Sequence, residues 1–546
     1  MKVQQLYPSE LLRYQDTIQQ ARLLFPFDAV HSQAAQRMLQ ALKKGRVYCI
    51  TVQHTQLFIE IQKIGTAWQV HNFLTVGELS WQEGIGLLET AARQNFRSQV
   101  VLVLAAPLPL ANWLIDRGYT ECDCGWRKKL TYNTALVLGG GGARGAYQIG
   151  VWKAMLENKL PFQWVAGCSV GALNGALIAQ GDLKAAETLW QEISTDKVLE
   201  ISFDDLERAD FSDHVHQLRQ FVFEAIQQKG LSTAPLRKLL ESHLDADKLT
   251  KSVPLYVVAT RIPTFQEVVV KLNEQTQSRM LPWLLASSAF FPLMSIESID
   301  EHFYVDGGYR NNVPVDVALK QGASEVIVVD VHGPGIDKAV KVPSNVARIQ
   351  LASTWDLGEM LLFESDRSQA NIQLGYLEMQ RCLGKNQGQR YFFEPTENFT
   401  QLTRAFIAYV QRKFALSLAR ISDIQRKNYN QPLEQLSLSL LEQWAEWLQV
   451  SPLKIYRIND LVDLLCQNVE NDKEISPIVS VKEHLNQRWQ EMNRLSTYNR
   501  TIKLYQQQVD NWEAAFSAWP LPTLLALFLT FIQEEVLWQE SLVTKS

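Results

Sequence analysis

Gly167-Cys168-Ser169-Val170-Gly171 has the residue types of a nucleophile presented on a tight corner. It follows the apolar run Phe162 to Ala166 and opens a small-residue stretch, Ala172 to Ala179. A strand turning sharply into a helix holds its corner residue in a strained, exposed position, and the flanking glycines avoid a collision across the turn. A serine there can attack a carbonyl carbon. Two more things are then needed: donors for the oxyanion that forms and a base for the hydroxyl proton. Gly139-Gly140-Gly141-Gly142-Ala143-Arg144-Gly145 can supply the donors. Without side chains, the backbone of Gly140, Gly141 and Gly142 approaches a ligand closely, at a helix N-terminus that favours negative charge. Arg144 adds a positive charge beside it. Asp306-Gly307-Gly308 can supply the base, because the glycines turn the chain away and leave the carboxylate accessible.

Each stretch also has another reading. Gly140 to Gly145 fits Gly-x-Gly-x-x-Gly, the dinucleotide fingerprint. That reading needs an acidic residue about 20 positions on, at the end of the second strand. Gly167-Cys168-Ser169 stands there instead. Asp-Gly-Gly alone is an ordinary turn signal. A carboxylate with a reference pKa of about 3.9 is a weak base for serine, so a Ser–Asp pair requires a dry site and strong oxyanion donors. A triad is the competing arrangement. Ser169, Asp306 and His332 follow the chain order of α/β-hydrolases, and His302 lies near Asp306 in sequence.

The elements that must position these residues follow from periodicity. Ala135 to Leu138, Phe162 to Ala166, Pro254 to Thr260, Val268 to Leu272, Phe303 to Val305 and Glu325 to Asp330 read as strands. Between them Ala146 to Leu156, Leu183 to Leu199, His214 to Lys229, Ala234 to Ser242 and Ser278 to Ser288 read as helices. The alternation predicts an α/β domain over 133–335 with a mostly parallel sheet covered on both faces. Residues 1–130 read as a smaller α+β unit. Its strands are Arg46 to Val52, Thr55 to Gln62, Trp68 to Val76, Val100 to Ala105 and Tyr119 to Leu130; its helices are Trp81 to Gln94 and Pro109 to Arg117. From Val340 the strand signal nearly disappears. Trp355 to Phe363, Arg367 to Leu383, Phe399 to Gln425, Leu433 to Leu448, Ile458 to Val469 and Val481 to Asp510 predict an all-α region over 340–546.

The chain has 546 residues, 46% hydrophobic and 20% charged, which describes a globular protein of several domains. A net charge of -5 gives no reason to expect nucleic acid. Six scattered cysteines make no disulfide framework, and Cys122 with Cys124 read as packing residues rather than metal ligands. The start has no apolar signal region, which points to the cytoplasm. Trp512 to Trp538 reads as a core helix rather than a membrane-surface element, because no Lys or Arg lines its polar face.

Gly140 to Gly145, Gly167 to Gly171 and Asp306 to Gly308 resemble, in type and order, the three signatures of the patatin-like phospholipases. Ala286-Ser287-Ser288-Ala289-Phe290-Phe291-Pro292 looks like the family as well, and Trp355 to Phe363 resembles bacterial members. The resemblance implies a three-layer α/β/α fold and a Ser169–Asp306 dyad without histidine. It implies oxyanion donors at Gly141 and Gly142 beside Arg144, and lipid acyl esters as substrate. No metal or organic cofactor is implied, and contact with a membrane would be peripheral. Residues 1–130 look like the N-acetyltransferase superfamily fold, including Asp116 to Tyr119, with Gly84-Ile85-Gly86 as the counterpart of its cofactor loop. Trp81 stands where that family has Gln or Arg, so a scaffold or regulatory role is expected. Two other classes stay open: an acyltransferase using the same serine, and an interaction protein whose elbow is silent.

Overall fold

Strands buried on both faces are continuous apolar runs, and the middle of the sheet at the centre of this chain is built from such runs. The computed structural model describes residues 1–25, 31–104, 108–200, 231–414, 416–471, 497–505 and 512–536. The sheet comprises β1 (Thr134–Leu138), β2 (Trp164–Cys168), β3 (Leu255–Ile262), β4 (Gln266–Lys271), β5 (Glu297–Ile299), β6 (His302–Asp306), β7 (Glu325–Asp330) and β8 (Ala347–Ala352). Their order is β5-β6-β3-β2-β1-β7-β8, with β4 paired to β3. Strands β3, β2, β1, β7 and β8 run parallel. Strands β4, β5 and β6 are antiparallel to their neighbours.

The helices that cover this sheet are α1 (Ala146–Glu157), α2 (Val170–Gln180), α3 (Leu183–Glu192), α4 (Ala234–His243), α5 (Gln277–Ser288), α6 (Val315–Lys320) and α7 (Ser365–Cys382). On one face Val315, Val317 and Ala318 of α6 cluster with Val137, Ala166 and Val258. On the other, α2 comes down on Val165 and Leu255 at Gly175, and α5 packs on β3. The result is the expected three-layer α/β/α arrangement with a mostly parallel sheet.

Several expectations are corrected. Strand β8 falls in the stretch whose spacing predicts helices. Its Ala347, Ile349 and Leu351 are more buried than Arg348 and Gln350, and it extends the sheet in parallel beside β7. Trp355 to Phe363 is not helical. The carbonyls of Met360 and Leu357 accept bonds from Ala143 and Asn371, outside any helical ladder. Leu183 to Leu199 stops as a helix at Glu192 and resumes as a short turn at Thr195–Lys197. Tyr119 to Leu130 is two strands, Thr120–Cys122 and Gly125–Lys129, so Cys122 and Cys124 flank a hairpin turn with their sulfurs 3.8 Å apart. His214 to Lys229 lies outside the described residues, as does most of Val481 to Asp510.

The chain divides into two compact units. The first contains Cys49–Leu383, with Met1–Val3 and Arg22–Ala29. Besides the central sheet it holds strands Thr55–Ile64, Ala67–Val76 and Gln99–Leu102 and helix Trp81–Gln94. Gly84 and Gly86 sit inside that helix. The Gly84 amide donates to the Ser80 carbonyl at 3.0 Å, so it is a helix rung and not an open cofactor loop. The second unit comprises Gln4–Ala21, Val30–Tyr48 and Gly384–Ser546. It is mainly helical, and it takes up the N-terminal helices Leu11–Gln20 and His31–Lys43, a division different from three consecutive segments. Leu524 to Leu529 of helix Pro520–Phe531 are buried in it, as a core helix requires. No helix among the described residues is long and apolar enough to cross a membrane.

Within the first unit a buried ion pair ties helix Trp81–Gln94 to the start of β7. Arg93 Nε lies 3.2 Å from Glu325 Oε1, and Glu325 is 1% exposed. The Ser324 and Thr134 hydroxyls also donate to Glu325. Removing one partner strands a buried charge. Arg93→Ala is expected to destabilise the protein by about 3 kcal/mol in denaturant unfolding, with Arg93→Lys costing less.

Candidate active site

Strand β3 has a single long edge that two strands share. Cys168, the last residue of β2, pairs with Val258; Asp306, the last residue of β6, pairs with Ala259. Strand β2 runs parallel to β3 and β6 runs antiparallel, so their C-terminal ends meet head to head on consecutive rungs. Ser169 follows Cys168 directly. Two residues 137 positions apart along the chain are therefore brought together by register alone.

Ser169 sits at φ 54°, ψ -129°, a conformation that costs a non-glycine residue on the order of 1–3 kcal/mol. The turn is closed tightly around it. A Cβ on Gly171 would stand 2.2 Å from the Leu138 carbonyl oxygen. The Ser169 N–H donates to the Ser287 hydroxyl at 3.0 Å, and Ser287 donates to the Val258 carbonyl at 2.6 Å. Ser287 thus clamps the corner to β3. Its heptapeptide stood out in the sequence by resemblance, but its role as a clamp did not. Ala289 of the same stretch accepts the Asp306 N–H at 2.9 Å.

Asp306 is 4% exposed. Burial pushes its carboxyl up to about 6, against the opposing pull of the Ser169 hydroxyl, the Gly308 N–H and the Cys168 thiol. The Gly308 N–H donates to Oδ1 at 2.7 Å, and Cys168 Sγ lies 3.8 Å from the same oxygen. The same burial, with the Asp306 charge added, raises the Cys168 thiol well above its ordinary value. The dry site that a carboxylate base requires is therefore present.

The glycine loop divides its duties. Gly140 donates its N–H to the Asn312 carbonyl at 3.1 Å, so that amide is engaged and cannot serve an oxyanion. Its function is proximity: a Cβ there would lie 2.5 Å from Asn312 Oδ1 and 3.0 Å from Ser169 Cβ. The Gly141 and Gly142 amides have no acceptor among the described residues, and both glycines line the same cavity as Ser169 and Asp306. Arg144 is a correction. Its guanidinium bonds the Gly358 carbonyl at 2.7 Å and the His332 carbonyl at 2.8 Å, which braces two loops and does not line the cavity. Gly145 starts α1 against Val170, Gly167 belongs to β2, and Gly307 and Gly308 form the short turn after β6.

Neither sequence-predicted histidine reaches the site. His302 is at the opposite end of β6 from Asp306, and His332 is exposed on the loop after β7. No histidine lines the cavity among the described residues. Asn174 is a residue that motif reading missed. It donates to Gly145 O and Gln148 Oε1 and accepts from Trp190 Nε1, so it fastens α2 to the glycine loop and to α3.

The cavity holds about 330 Å³, the size of a small-ligand site. Ser169, Asp306, Gly141 and Gly142 stand in a wall that is otherwise largely apolar, with Leu173, Leu177, Trp190, Leu236, Leu240 and Phe363 among its members. No lysine, arginine or glutamate lines it among the described residues.

Residues 136–319 match the family model of the patatin-like phospholipases. This stretch of the chain is similar to the patatin-like phospholipase domain. Patatin-like phospholipase domain-containing protein 7 of Rattus norvegicus is 29% identical over 206 residues, covering 36% of this chain and 13% of that protein. Patatin-like phospholipase domain-containing protein 6 of Homo sapiens is 32% identical over 214 residues, covering 37% and 14%. Lysophospholipase NTE1 of Mycosarcoma maydis is 29% identical over 218 residues, covering 38% and 10%. The chain thus spans about a seventh or less of these relatives' length.

The clamp around the elbow makes a prediction of its own. Ser287→Ala leaves the Ser169 N–H and the Val258 carbonyl without their shared partner. Denaturant unfolding should show a loss of about 1–3 kcal/mol, since buried groups lose a hydrogen bond without gaining water.

Proposed function

We propose that the patatin-like domain hydrolyses carboxylic ester bonds of lipids, with Ser169 as nucleophile and Asp306 as base. The observation that carries this reading is the pairing of Cys168 and Asp306 on adjacent rungs of β3, with the carboxyl buried and raised to about 6. A base of that strength accepts a proton near neutral pH more readily than an exposed carboxylate does. The apolar cavity supports an acyl chain as the bound group, and the names of the relatives agree with a phospholipid or lysophospholipid substrate.

In this mechanism the Ser169 Oγ bonds to the ester carbonyl carbon while its proton passes to Asp306. The negative charge that develops on the carbonyl oxygen is met by the Gly141 and Gly142 amides, fixed in place before reaction. Collapse breaks the carbon–oxygen bond to the alcohol, which leaves with the proton from Asp306. Water then attacks the acyl-enzyme and gives a proton to Asp306. The second collapse returns that proton to Ser169 and frees the fatty acid.

Ser169→Ala and Asp306→Asn should each lower kcat/KM on an ester substrate by about a thousandfold or more. Asn at 306 still offers an oxygen to the Gly308 N–H, so the fold should survive. His332→Ala and His302→Ala should retain wild-type rates, and collapse in either would replace the dyad with a triad. Asp306 must be ionised to act. The wild-type rate should therefore hold above the raised value of about 6 and fall as the pH drops through it. Transfer of the acyl group only to an added acceptor, with no hydrolysis in water, would favour an acyltransferase.

A further inference from the structure

Cys49, Cys168 and Cys466 are buried, as free cysteines usually are. Cys122 and Cys124 are not. Cys124 is exposed and Cys122 half-buried, and their sulfurs lie 3.8 Å apart. Packing, the role their sequence suggested, does not account for two thiols held together at the surface.

The hairpin explains why the sulfurs meet. Cys122 pairs with Gly125 across strands Thr120–Cys122 and Gly125–Lys129, so Asp123 and Cys124 are the two turn residues. The base of the turn is fixed. Trp126, the next residue, is buried and pairs with both Glu121 and Leu102. Gly125 has φ 135°, and a Cβ there would stand 2.2 Å from the Leu102 carbonyl oxygen. The hairpin is thus pressed against strand Gln99–Leu102, and the turn has little freedom to carry the sulfurs apart. A bond between them needs an approach of about 1.8 Å, to the ~2.05 Å of a disulfide, which rotation of the two side chains can cover.

The surroundings set how the pair reacts. Burial, then the hydrogen bond and charge of Cys122, raise the Cys124 thiol above its ordinary value. The pair therefore keeps its protons at neutral pH, and exchange quickens as the pH rises. A disulfide here closes a ring across one intervening residue. An exposed bridge in so small a ring is easily reduced again, which suits reversible oxidation rather than a structural staple.

We propose that Cys122 and Cys124 form a redox-active dithiol, oxidised to a disulfide within the hairpin by small-molecule disulfides of the glutathione class. Cys124, the more exposed, attacks first. Its thiolate bonds to one sulfur of the small disulfide, whose S–S bond breaks. The first thiolate leaves and takes up a proton in place of the one Cys124 lost. The Cys122 thiolate then attacks the Cys124 sulfur and expels the second thiolate, which is protonated in the same way. The protein gives up two electrons and two protons, and the small disulfide becomes two thiols. The site is independent of the ester-hydrolase reading.

The test is titration of the full chain in glutathione buffers of graded redox poise, with acid quench, alkylation of free thiols and peptide mapping by mass spectrometry. As the poise becomes oxidising, the peptide carrying Cys122 and Cys124 should lose both alkyl groups together and show the mass of an internal disulfide. Exposed Cys382 should stay alkylated or carry glutathione. Cys122→Ser removes the thiol that resolves the mixed disulfide, and should raise glutathione on Cys124 about tenfold or more over the wild type. Alkylation of both cysteines at the most oxidising poise, glutathione retained on wild-type Cys124, or Cys124 bridged to a different cysteine overturns the proposal.

Discussion

One edge of one strand governs this domain. Strand β3 accepts β2 along its first half and β6 along its second, and the two meet between Val258 and Ala259. A strand edge normally serves one neighbour. Sharing it between a parallel and an antiparallel partner forces two chain ends into a gap of a single rung. Both ends must then leave the sheet at once. The first does so through a sharp turn into α2, at the cost of a left-handed serine; the second does so through the short turn at Gly307–Tyr309. The crowding also explains the small residues nearby. A side chain at Gly171 would overlap Leu138, and one at Gly140 would overlap Asn312.

The same junction sets the electrostatics. The carboxylate that ends β6, one strand in from the sheet's edge, abuts the end of β2 and is buried, so water is kept away. Its charge is held by a few fixed donors instead: the Gly308 amide, the Cys168 thiol and the Ser169 hydroxyl. Burial outweighs these donors, and the group becomes a better base than an exposed aspartate. A carboxyl raised in this way is what the proposed dyad requires. Histidine suits general-base work because its ordinary value lies near neutrality. An aspartate moved up to about 6 occupies nearly the same range without one.

The motifs that carry chemistry were legible in the sequence because each imposes a local requirement on residue type. Ser169 between glycines, the run Gly139 to Gly142 and Asp306 before two glycines all reflect close backbone approach. The strands of the central sheet were legible for a similar reason, since burial on both faces demands apolar runs. What was not legible depends on distant partners. Arg144 was read as an oxyanion neighbour, but the carbonyls that capture it belong to Gly358 and His332. Gly140 was read as a donor, but the Asn312 carbonyl takes its amide. Trp355 to Phe363 has helical spacing, yet its carbonyls serve the glycine loop and α7. Strand β8 alternates apolar with polar residues over only six positions, a short run beside the helical spacing that follows it. The register that joins Ser169 to Asp306 has no sequence signature at all.

The central claim is that the β3 junction activates Ser169 through Asp306. Covalent labelling with a fluorophosphonate, followed by peptide mapping, tests it most directly because it reports nucleophilicity without assuming a substrate. The account predicts a single adduct on Ser169 in the wild type and strongly slowed labelling of folded Asp306→Asn. An adduct elsewhere, or Asp306→Asn labelled at the wild-type rate, would contradict it.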